Sequence, residues 1–317
     1  MSKLEFEKPI VELEAKINDL RQMGSKRVTL EPEIKRLESK LDKLKQDVYN
    51  NLSAWQRVQI ARHPGRPYTL DYIKFITDEF LELHGDRLFA DDFSIVGGFA
   101  KIDGQKVMII GHQKGRDTKE NVKRNFGCAH PEGYRKAMRL MRLAAKFHTP
   151  VICLIDTPGA YPGIGAEERG QAQAIAENLR DMSTVETPVI ATIIGEGGSG
   201  GALGIAVADR VLILEHAYYS VISPEGCASI LWRSSLKAPE AAKALRLHGE
   251  DLIKFHVVDE IIPEPLGGAH RNPEETAASL KAALLKNLKK LTSLSTKDLL
   301  EERYNKFRDI GQFIEKK

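Results

Sequence analysis

Residues 189–204 read VIATIIGEGGSGGALG, an apolar run that passes directly into a run of glycines. The apolar part, residues 189–194, is short and rich in β-branched side chains, which predicts a β-strand. Glycines then permit unusual dihedral angles and the close approach of another group to the backbone. Residues 201–207 predict a short helix after the turn, so the stretch predicts a strand–turn–helix unit of an α/β protein.

The rest of the body alternates in the same way between short apolar runs and longer helical segments. Pro, Gly and Asp bound the apolar runs, and this order favours an α/β fold with mostly parallel strands. The predicted strands are 95–102, 107–112, 151–156, 189–194, 211–215 and a short piece at 219–222. The predicted helices are 69–80 with Thr69 as its N-cap, 133–147, 166–182, 201–207, 238–247, 274–291 and a last helix that opens with Ser295 and Asp298 as a capping box.

The first 50 residues differ from the body because they carry two narrow apolar seams on either side of a turn expected at Gly24-Ser25. Such seams, at intervals of three and four residues, predict an antiparallel helical hairpin. We expect residues 1–55 to form an assembly arm and residues 56–317 to form the main domain. The seam residues are Ile10, Leu13, Ile17 and Leu20 in the first helix and Ile34, Leu37, Leu41, Leu44 and Val48 in the second.

The bulk composition is that of an ordinary globular chain. Its 317 residues carry a formal net charge of +3, which by itself neither indicates nor excludes nucleic-acid binding. The three cysteines are far apart and form no C-x-x-C pair, so we expect neither a metal site nor a disulfide framework. A charged N-terminus without an apolar segment, and the lack of a long apolar run, predict a cytoplasmic protein that does not enter a membrane.

The glycine run matches three chemical patterns, besides the possibility of a simple tight turn. Gly195, Gly197 and Gly200 match the G-x-G-x-x-G of dinucleotide-binding folds, and Glu215 ends the next predicted strand, where such folds place an acid. Against this interpretation, the following helix is very short and no second nucleotide-binding half follows it.

The second pattern is the G-x-S-x-G nucleophile elbow of hydrolases, formed by Gly197, Ser199 and Gly201. Ser199 would then be the nucleophile of a serine hydrolase, with a histidine base later in the chain. The available histidines are His216, His248, His256 and His270, and the sequence around each of them carries no mark of a general base.

The third pattern is an oxyanion site that needs no side chain. A helix that starts near Gly201 would aim free N–H groups at an anionic oxygen. A second Gly/Pro-rich turn, residues 157–165, follows the strand 151–156, and a cationic loop, residues 111–116, follows the strand 107–112. Because turns after neighbouring parallel strands meet at one edge of a sheet, these segments favour a common ligand site.

Several long motifs, together with the hairpin, resemble one known family over essentially the whole chain. It is the family of alpha subunits of the bacterial acetyl-CoA carboxylase carboxyltransferase. The motifs are DTPGAYPGIGAEERG (156–170), IGEGGSGGALG (194–204), YSVISPEGCASILW (219–232), IIPEPLGGAHRNP (261–273), ARHPGRPYTLDYI (61–73) and GHQKGRDTKENVKRNFG (111–127).

The resemblance implies a crotonase-like fold, in which ββα units stack into a superhelix, with the N-terminal hairpin and C-terminal helices added. It implies that residues 56–317 are the carboxyltransferase domain. It also implies a zinc-containing beta subunit as the partner in an α2β2 heterotetramer, with activity that requires both subunits.

The implied reaction transfers the carboxyl group of carboxybiotin to acetyl-CoA and gives malonyl-CoA for fatty acid biosynthesis. Carboxybiotin would be carried by a separate biotin carboxyl carrier protein, so this chain would bind no cofactor covalently. A biotin carboxylase would belong to the wider complex.

The resemblance also implies roles for individual residues. The backbone amides of Gly200 and Gly201 would be the catalytic donors to the biotin oxyanion, while Gly163, Ile164 and Gly165 would line the biotin side of the pocket. The other substrate-binding candidates are Gly197 and Gly198 of the same turn and the loop cations Lys114 and Arg116.

Overall fold

The computed structural model describes residues 4–24 and 30–311 of the chain. Its strands in chain order are β1 (Glu79–Glu82), β2 (Ile95–Ile102), β3 (Gln105–His112), β4 (Val151–Thr157), β5 (Val189–Gly198), β6 (Arg210–Leu214), β7 (Tyr218–Ser220) and β8 (Glu260–Ile262). Within the described ranges they form one sheet in the order β1–β2–β3–β4–β5–β6–β8, with β7 paired to the end of β5. The β1–β2 and β2–β3 pairs are antiparallel, and the later pairs are parallel.

Helices precede, connect and follow the strands. The helix α6 packs on β2 and β3 and beside α8, while α13 packs on β5, β8 and α4. Among the helices described, none is long and apolar enough to cross a membrane. The helices are α1 (Lys8–Gly24), α2 (Glu31–Tyr49), α3 (Ala54–Ala61), α4 (Thr69–Ile76), α5 (Thr118–Lys123), α6 (Pro131–Lys146), α7 (Ile164–Glu168), α8 (Gln171–Met182), α9 (Ser199–Leu203), α10 (Pro224–Trp232), α11 (Ala238–Leu245), α12 (Gly249–Lys254), α13 (Pro273–Leu291) and α14 (Thr296–Arg308).

Each of the predicted strands overlaps an observed one, and the mostly parallel α/β prediction is confirmed. The central strands β4 and β5 are buried along their whole length, because parallel strands covered on both faces need apolar residues at successive positions. The sequence predicts neither β1 nor β8. Both are short strands with polar residues at one or both ends, and they carry little of the pattern that marks a strand.

The predicted helix 69–80 is wrong at both ends. Tyr68, not Thr69, occupies the N-cap position, and the Thr69 hydroxyl instead donates a hydrogen bond to the His112 carbonyl oxygen at 2.6 Å. The helix ends at Ile76 because β1 begins three residues later. The predicted helix 166–182 is also interrupted, since Gly170 adopts a φ of +79° between α7 and α8.

The N-terminal helices form the predicted antiparallel hairpin. Two ion pairs connect the helices: Glu14 with Lys45, at 2.8 Å, and Arg21 with Glu38. The later residue of α1 pairs with the earlier residue of α2, so the two helices are antiparallel. The expected turn at Gly24-Ser25 extends into residues that lie outside the described ranges. The seam residues that form the apolar cluster between the helices are Ile10, Leu13, Ile17, Ile34, Leu37, Leu41, Leu44 and Val48.

The hairpin rests on the body through a small buried polar group at its base. The Tyr49 hydroxyl donates a hydrogen bond to Glu7 Oε1 at 2.6 Å, and the Arg271 guanidinium lies 3.4 Å from the same oxygen. Ile60 of α3 joins the apolar cluster of the hairpin. The loop that contains His270 and Arg271 therefore receives the hairpin by charge and hydrogen bonding as well as by apolar contact.

The ionised Glu7 makes this docking sensitive to acid. Burial alone would raise the pKa of Glu7, but the proximity of His270, the hydrogen bond from Tyr49 and the charge of Arg271 outweigh it and lower the pKa from 4.5 to about 2. Because the folded-state pKa is the lower one, this stabilisation is complete above pH 4.5 and is lost as the pH falls toward 2. We expect Glu7→Gln to flatten the fall in unfolding free energy over this acid range, measured by urea denaturation. The exposed Glu12→Gln is the control, and an unchanged slope for Glu7→Gln would contradict the assignment.

Candidate active site

Three loops meet at the carboxyl edge of the sheet, where β3, β4 and β5 lie side by side. The loop after β5 approaches the loop after β4 so closely that their backbones touch. A Cβ atom built on Gly198 would lie 2.1 Å from the Pro158 carbonyl oxygen, and one on Gly201 would lie 2.4 Å from the Gly159 carbonyl carbon. The contact requires glycine at both positions, because any side chain would force the two loops apart.

The short helix α9 begins at Ser199 and ends at Leu203. The predicted span 201–207 therefore lies too far toward the C-terminus. Ser199 is exposed and adopts a left-handed backbone conformation, with a φ of +51°. The first four N–H groups of a helix have no partner within the helix, and in α9 they include those of Gly200 and Gly201. A Cβ atom on Gly200 would find its nearest neighbour, Ile175, at 3.8 Å, so this side of the turn is open.

Lys114 lies in the predicted place, after β3 and beside the glycine turn, but its charge is paired internally. Its ammonium group donates to Asp156 Oδ1 at 2.7 Å and to Glu196 Oε1 at 2.8 Å. Burial would lower the pKa of Lys114, yet the two carboxylates outweigh it and raise that pKa well above its usual range. The same attraction, with that of Arg62, lowers the pKa of the buried Glu196 to about 2. Lys114 and Glu196 are therefore both ionised at neutral pH.

Arg116 points away from the glycine turn. Its guanidinium donates hydrogen bonds to the Pro64 carbonyl at 2.7 Å and the Arg66 carbonyl at 3.0 Å, pairs with Asp71, and lies 3.9 Å from the centre of the Tyr68 ring. It thus ties the loop after β3 to the segment that leads out of the hairpin.

The residues predicted to line the biotin side form the beginning of α7. Gly163 is the N-cap of this helix, and a Cβ atom there would lie 2.4 Å from the Tyr161 ring. Ile164 is 75% exposed, so its side chain is available to a ligand or a partner. Gly159 and Ala160, earlier in the same loop, are the residues that touch Gly201.

Two surface depressions of the described chain lie away from the predicted residues. Depressions of about 510 and 530 Å³ lie near the amino ends of β4 and β5, one beside Phe147 and Thr149 and the other beside Asp181 and Glu186. Neither is lined by any of the predicted site residues.

A family model described as acetyl co-enzyme A carboxylase carboxyltransferase-like matches residues 3–311. The chain belongs to this family. The acetyl-coenzyme A carboxylase carboxyl transferase subunit alpha of Geobacter metallireducens is 59% identical over 312 residues, or 98% of each chain. The protein of the same name from Thermus thermophilus is 58% identical over 313 residues, which cover 98% of this chain and 99% of the relative.

Solved structures of other carboxyltransferases share the fold at low sequence identity. A transcarboxylase 12S structure has a TM-score of 0.55 and 22% identity, and the match covers 74% of this chain and 45% of that one. The beta subunit of the geranyl-CoA carboxylase of P. aeruginosa has a TM-score of 0.56 and 15% identity, with coverage of 80% and 45%. The expected crotonase-like fold of the carboxyltransferase family is therefore confirmed.

The dinucleotide-binding interpretation fails on the geometry of the glycine run. Gly195 and Gly197 lie inside β5 instead of in a turn, and α9 is five residues long. Glu215, the expected ribose ligand, accepts a hydrogen bond from the Glu264 backbone N–H at 3.0 Å and so joins the ends of β6 and β8.

The serine hydrolase alternative is not supported either, although Ser199 has the exposed, strained turn that a nucleophile elbow requires. Two of the four later histidines, His248 and His270, make contacts elsewhere in the described structure. His248 Nε2 lies 2.8 Å from the Ala54 carbonyl oxygen, and the His270 ring stacks on that of His63 at 4.0 Å.

Sequence reasoning missed the acids and the arginine beneath the glycine turn. Asp156 and Glu196 are plain in the sequence as acids at the ends of two inner strands, and Lys114 follows the third strand. That arrangement is a detectable signal for a buried ion cluster. Arg62 carries no comparable signal, because its partner Glu196 is 134 positions away.

The tight contact at Gly201 can be tested by its cost to folding. Gly201→Ala would place a methyl group 2.4 Å from the Gly159 backbone, so we expect a loss of about 1–3 kcal/mol in the free energy of unfolding. Gly200→Ala is the matched control in the same helix, where the nearest atom is 3.8 Å away, and we expect it to be neutral or slightly stabilising. Urea denaturation measures both. Equal stabilities would mean that the loop after β4 yields easily.

Proposed function

We propose that this chain is the alpha subunit of an acetyl-CoA carboxylase carboxyltransferase, which moves the carboxyl group of carboxybiotin to acetyl-CoA. The match to the carboxyltransferase family over residues 3–311 carries the proposal. The glycine turn supports it, because a transfer reaction of this kind needs backbone donors and no nucleophilic side chain.

The chemistry places negative charge on two oxygen atoms. Release of CO2 from carboxybiotin would break the N–C bond and leave negative charge on the ureido oxygen. Removal of a proton from the methyl group of acetyl-CoA would leave negative charge on the thioester oxygen, and the enolate carbon would then form a C–C bond to the CO2 to give malonyl-CoA. Each oxygen needs preorganised N–H donors in a water-poor site. We assign the amides of Gly200 and Gly201 to the biotin oxygen. Biotin that has lost its carboxyl group is basic enough to accept the acetyl proton, so no side-chain base is required.

The other candidate residues support this site in different ways. Gly197 and Gly198 bring the end of β5 against the loop after β4, and the exposed Ile164 with its neighbours Gly163 and Gly165 would contact the biotin side. Lys114 and Arg116 have internal partners. We therefore propose that they shape the loop after β3, and that they do not bind substrate as free charges.

The proposed working form is an α2β2 heterotetramer with a zinc-containing beta subunit. The relatives are named as the alpha subunit of a carboxyl transferase, and such a name implies another subunit. That partner would cover the edge of the sheet around α9 and would mainly hold the CoA thioester. Carboxybiotin would arrive on a separate carrier protein, with a biotin carboxylase in the wider complex.

Reconstitution tests the function. The purified chain should be inert toward acyl esters, and addition of the beta subunit should produce transfer of the carboxyl group from malonyl-CoA to free biotin. We expect Gly201→Val to lower kcat by roughly 10²–10³, the cost of a lost oxyanion donor, because the new side chain displaces the turn. Ser199→Ala should retain at least about a tenth of the activity, whereas removal of a nucleophile would cost on the order of a thousandfold or more.

Two outcomes would overturn the proposal. Full activity of an assembled Gly201→Val complex would mean that the glycine run is only a tight turn without a catalytic role. A thousandfold loss in a folded Ser199→Ala protein would revive the hydrolase alternative.

We also propose that residues 1–55 are an assembly arm and that residues 56–317 are the carboxyltransferase domain. The support is that the hairpin contacts the body at its base, through Glu7, Tyr49 and Ile60. Deletion of residues 1–50 should weaken the α2β2 complex in sedimentation velocity experiments. A truncated chain that assembles and turns over normally would contradict this role.

A further inference from the structure

Arg62 lies between the hairpin and the body and reaches the strand that carries the glycine turn. It is the C-cap residue of α3, and its Nε donates a hydrogen bond to Glu196 Oε2 at 2.8 Å. Its Nη2 donates to the Tyr218 hydroxyl at 3.0 Å, and its guanidinium also pairs with Glu225 in the first turn of α10. One side chain thus joins α3, β5, β7 and α10.

Glu196 is the point where these contacts converge. Its carboxylate receives hydrogen bonds from Arg62, from Lys114 at 2.8 Å and from the Tyr218 hydroxyl at 2.6 Å. Its backbone N–H donates to Asp156 Oδ1 at 2.9 Å, so the residue is held on β4 as well. The side chain is 9% exposed, which means that loss of a partner leaves a charge with little water to replace it.

The position of the proposed oxyanion donors depends on the same short segment. Glu196 lies two residues before Gly198 and five before Gly201. In this segment β5 leaves β6 and pairs with β7, and its register with β4 shifts between Ile155 and Thr157. The ladder is therefore irregular just where the amides must be placed accurately, and the bonds to Glu196 supply the missing restraint.

We infer that Arg62 is a positioning residue for the carboxyl transfer, acting through Glu196 on the amides of Gly200 and Gly201. The inference rests on the proposed function. Arg66 reinforces it from the same connector, since its Nη2 donates to the Ile194 carbonyl oxygen at 2.9 Å. Two arginines of the connector thus hold β5 on either side of Gly195.

The test compares variants in the reconstituted complex with the beta subunit. Because small displacements of reacting groups lower rates steeply, we expect Arg62→Gln to lower kcat by about 10–100-fold, with KM for biotin within about threefold of wild type. Arg62→Lys should recover part of kcat, since an ammonium group can still reach Glu196 but cannot also hold Tyr218 and Glu225. Tyr218→Phe, which removes one bond to Glu196, should give a smaller loss of about two- to fivefold.

The control is Arg57→Gln. Arg57 lies on the same helix and pairs with the exposed Glu250 at 3.0 Å, away from β5. Its removal should leave kcat within about twofold of wild type, as for an ordinary surface pair. General damage to α3 would lower the activity of the Arg57 variant as well as that of the Arg62 variants. Loss of the positioning contact to Glu196 would lower only the activity of the Arg62 variants.

If Arg62→Gln does not fold or assemble, the kcat values of Arg62→Lys and Tyr218→Phe decide the question, provided that these variants keep the wild-type melting temperature. Wild-type kcat in every Arg62 and Tyr218 variant that assembles would overturn the inference. If the Arg62 and Tyr218 variants have wild-type kcat while Gly201→Val is inactive in the same assay, the positioning role is wrong but the proposed function still stands. If Gly201→Val is itself fully active, the proposed function fails first.

Discussion

The contact between two backbones, that of the turn after β5 and that of the loop after β4, is the constraint on which the site depends. With 2.1 Å between the position of a Gly198 Cβ and the Pro158 carbonyl oxygen, side chains are excluded from the interface. The glycines are therefore needed for packing, and the proposed amide donors of Gly200 and Gly201 lie in the short helix that makes this contact. Glycine therefore satisfies both the close backbone contact and the proposed use of backbone amides as donors.

The ionised groups beneath the turn solve a different problem. A strand that ends in glycines has few side chains with which to hold its position, and glycine loses more conformational freedom on folding than any other residue. Glu196 is the exception within the run, and Lys114, Asp156 and Arg62 surround it. Isolated buried charges would destabilise the fold, but here the ion pairs compensate one another and hold these side chains in place.

Much of this architecture could be predicted from apolar periodicity and from glycine. The hairpin seams follow from their three- and four-residue spacing, and eight of the nine seam residues lie in the cluster between α1 and α2, with Leu20 outside it. The strands β4 and β5 follow from short apolar runs rich in β-branched residues. Such patterns are local to each element. They predict the structure because each helix or strand buries the apolar side chains that its own spacing places on one face or along its length.

The contacts that required the structure are those between distant segments with no periodic pattern. Thr69 resembles an N-cap in sequence, but the nearby His112 carbonyl takes its hydroxyl. Lys114 and Arg116 look like free cations beside a pocket, and both are paired with acids that only folding brings near. Short strands such as β1 and β8 exist because an adjacent edge is available, which is a property of the sheet and not of their own residues.

The forked pairing of β5 has a consequence for local fluctuations. The strand pairs with β4 along one side and with β6 and then β7 along the other, so its amides are bonded on both sides almost to the glycine turn. Central strands of this kind exchange their amide hydrogens mainly through global unfolding. The turn is thus attached to the most slowly opening part of the molecule, and the donor geometry would persist for as long as the domain itself stays folded.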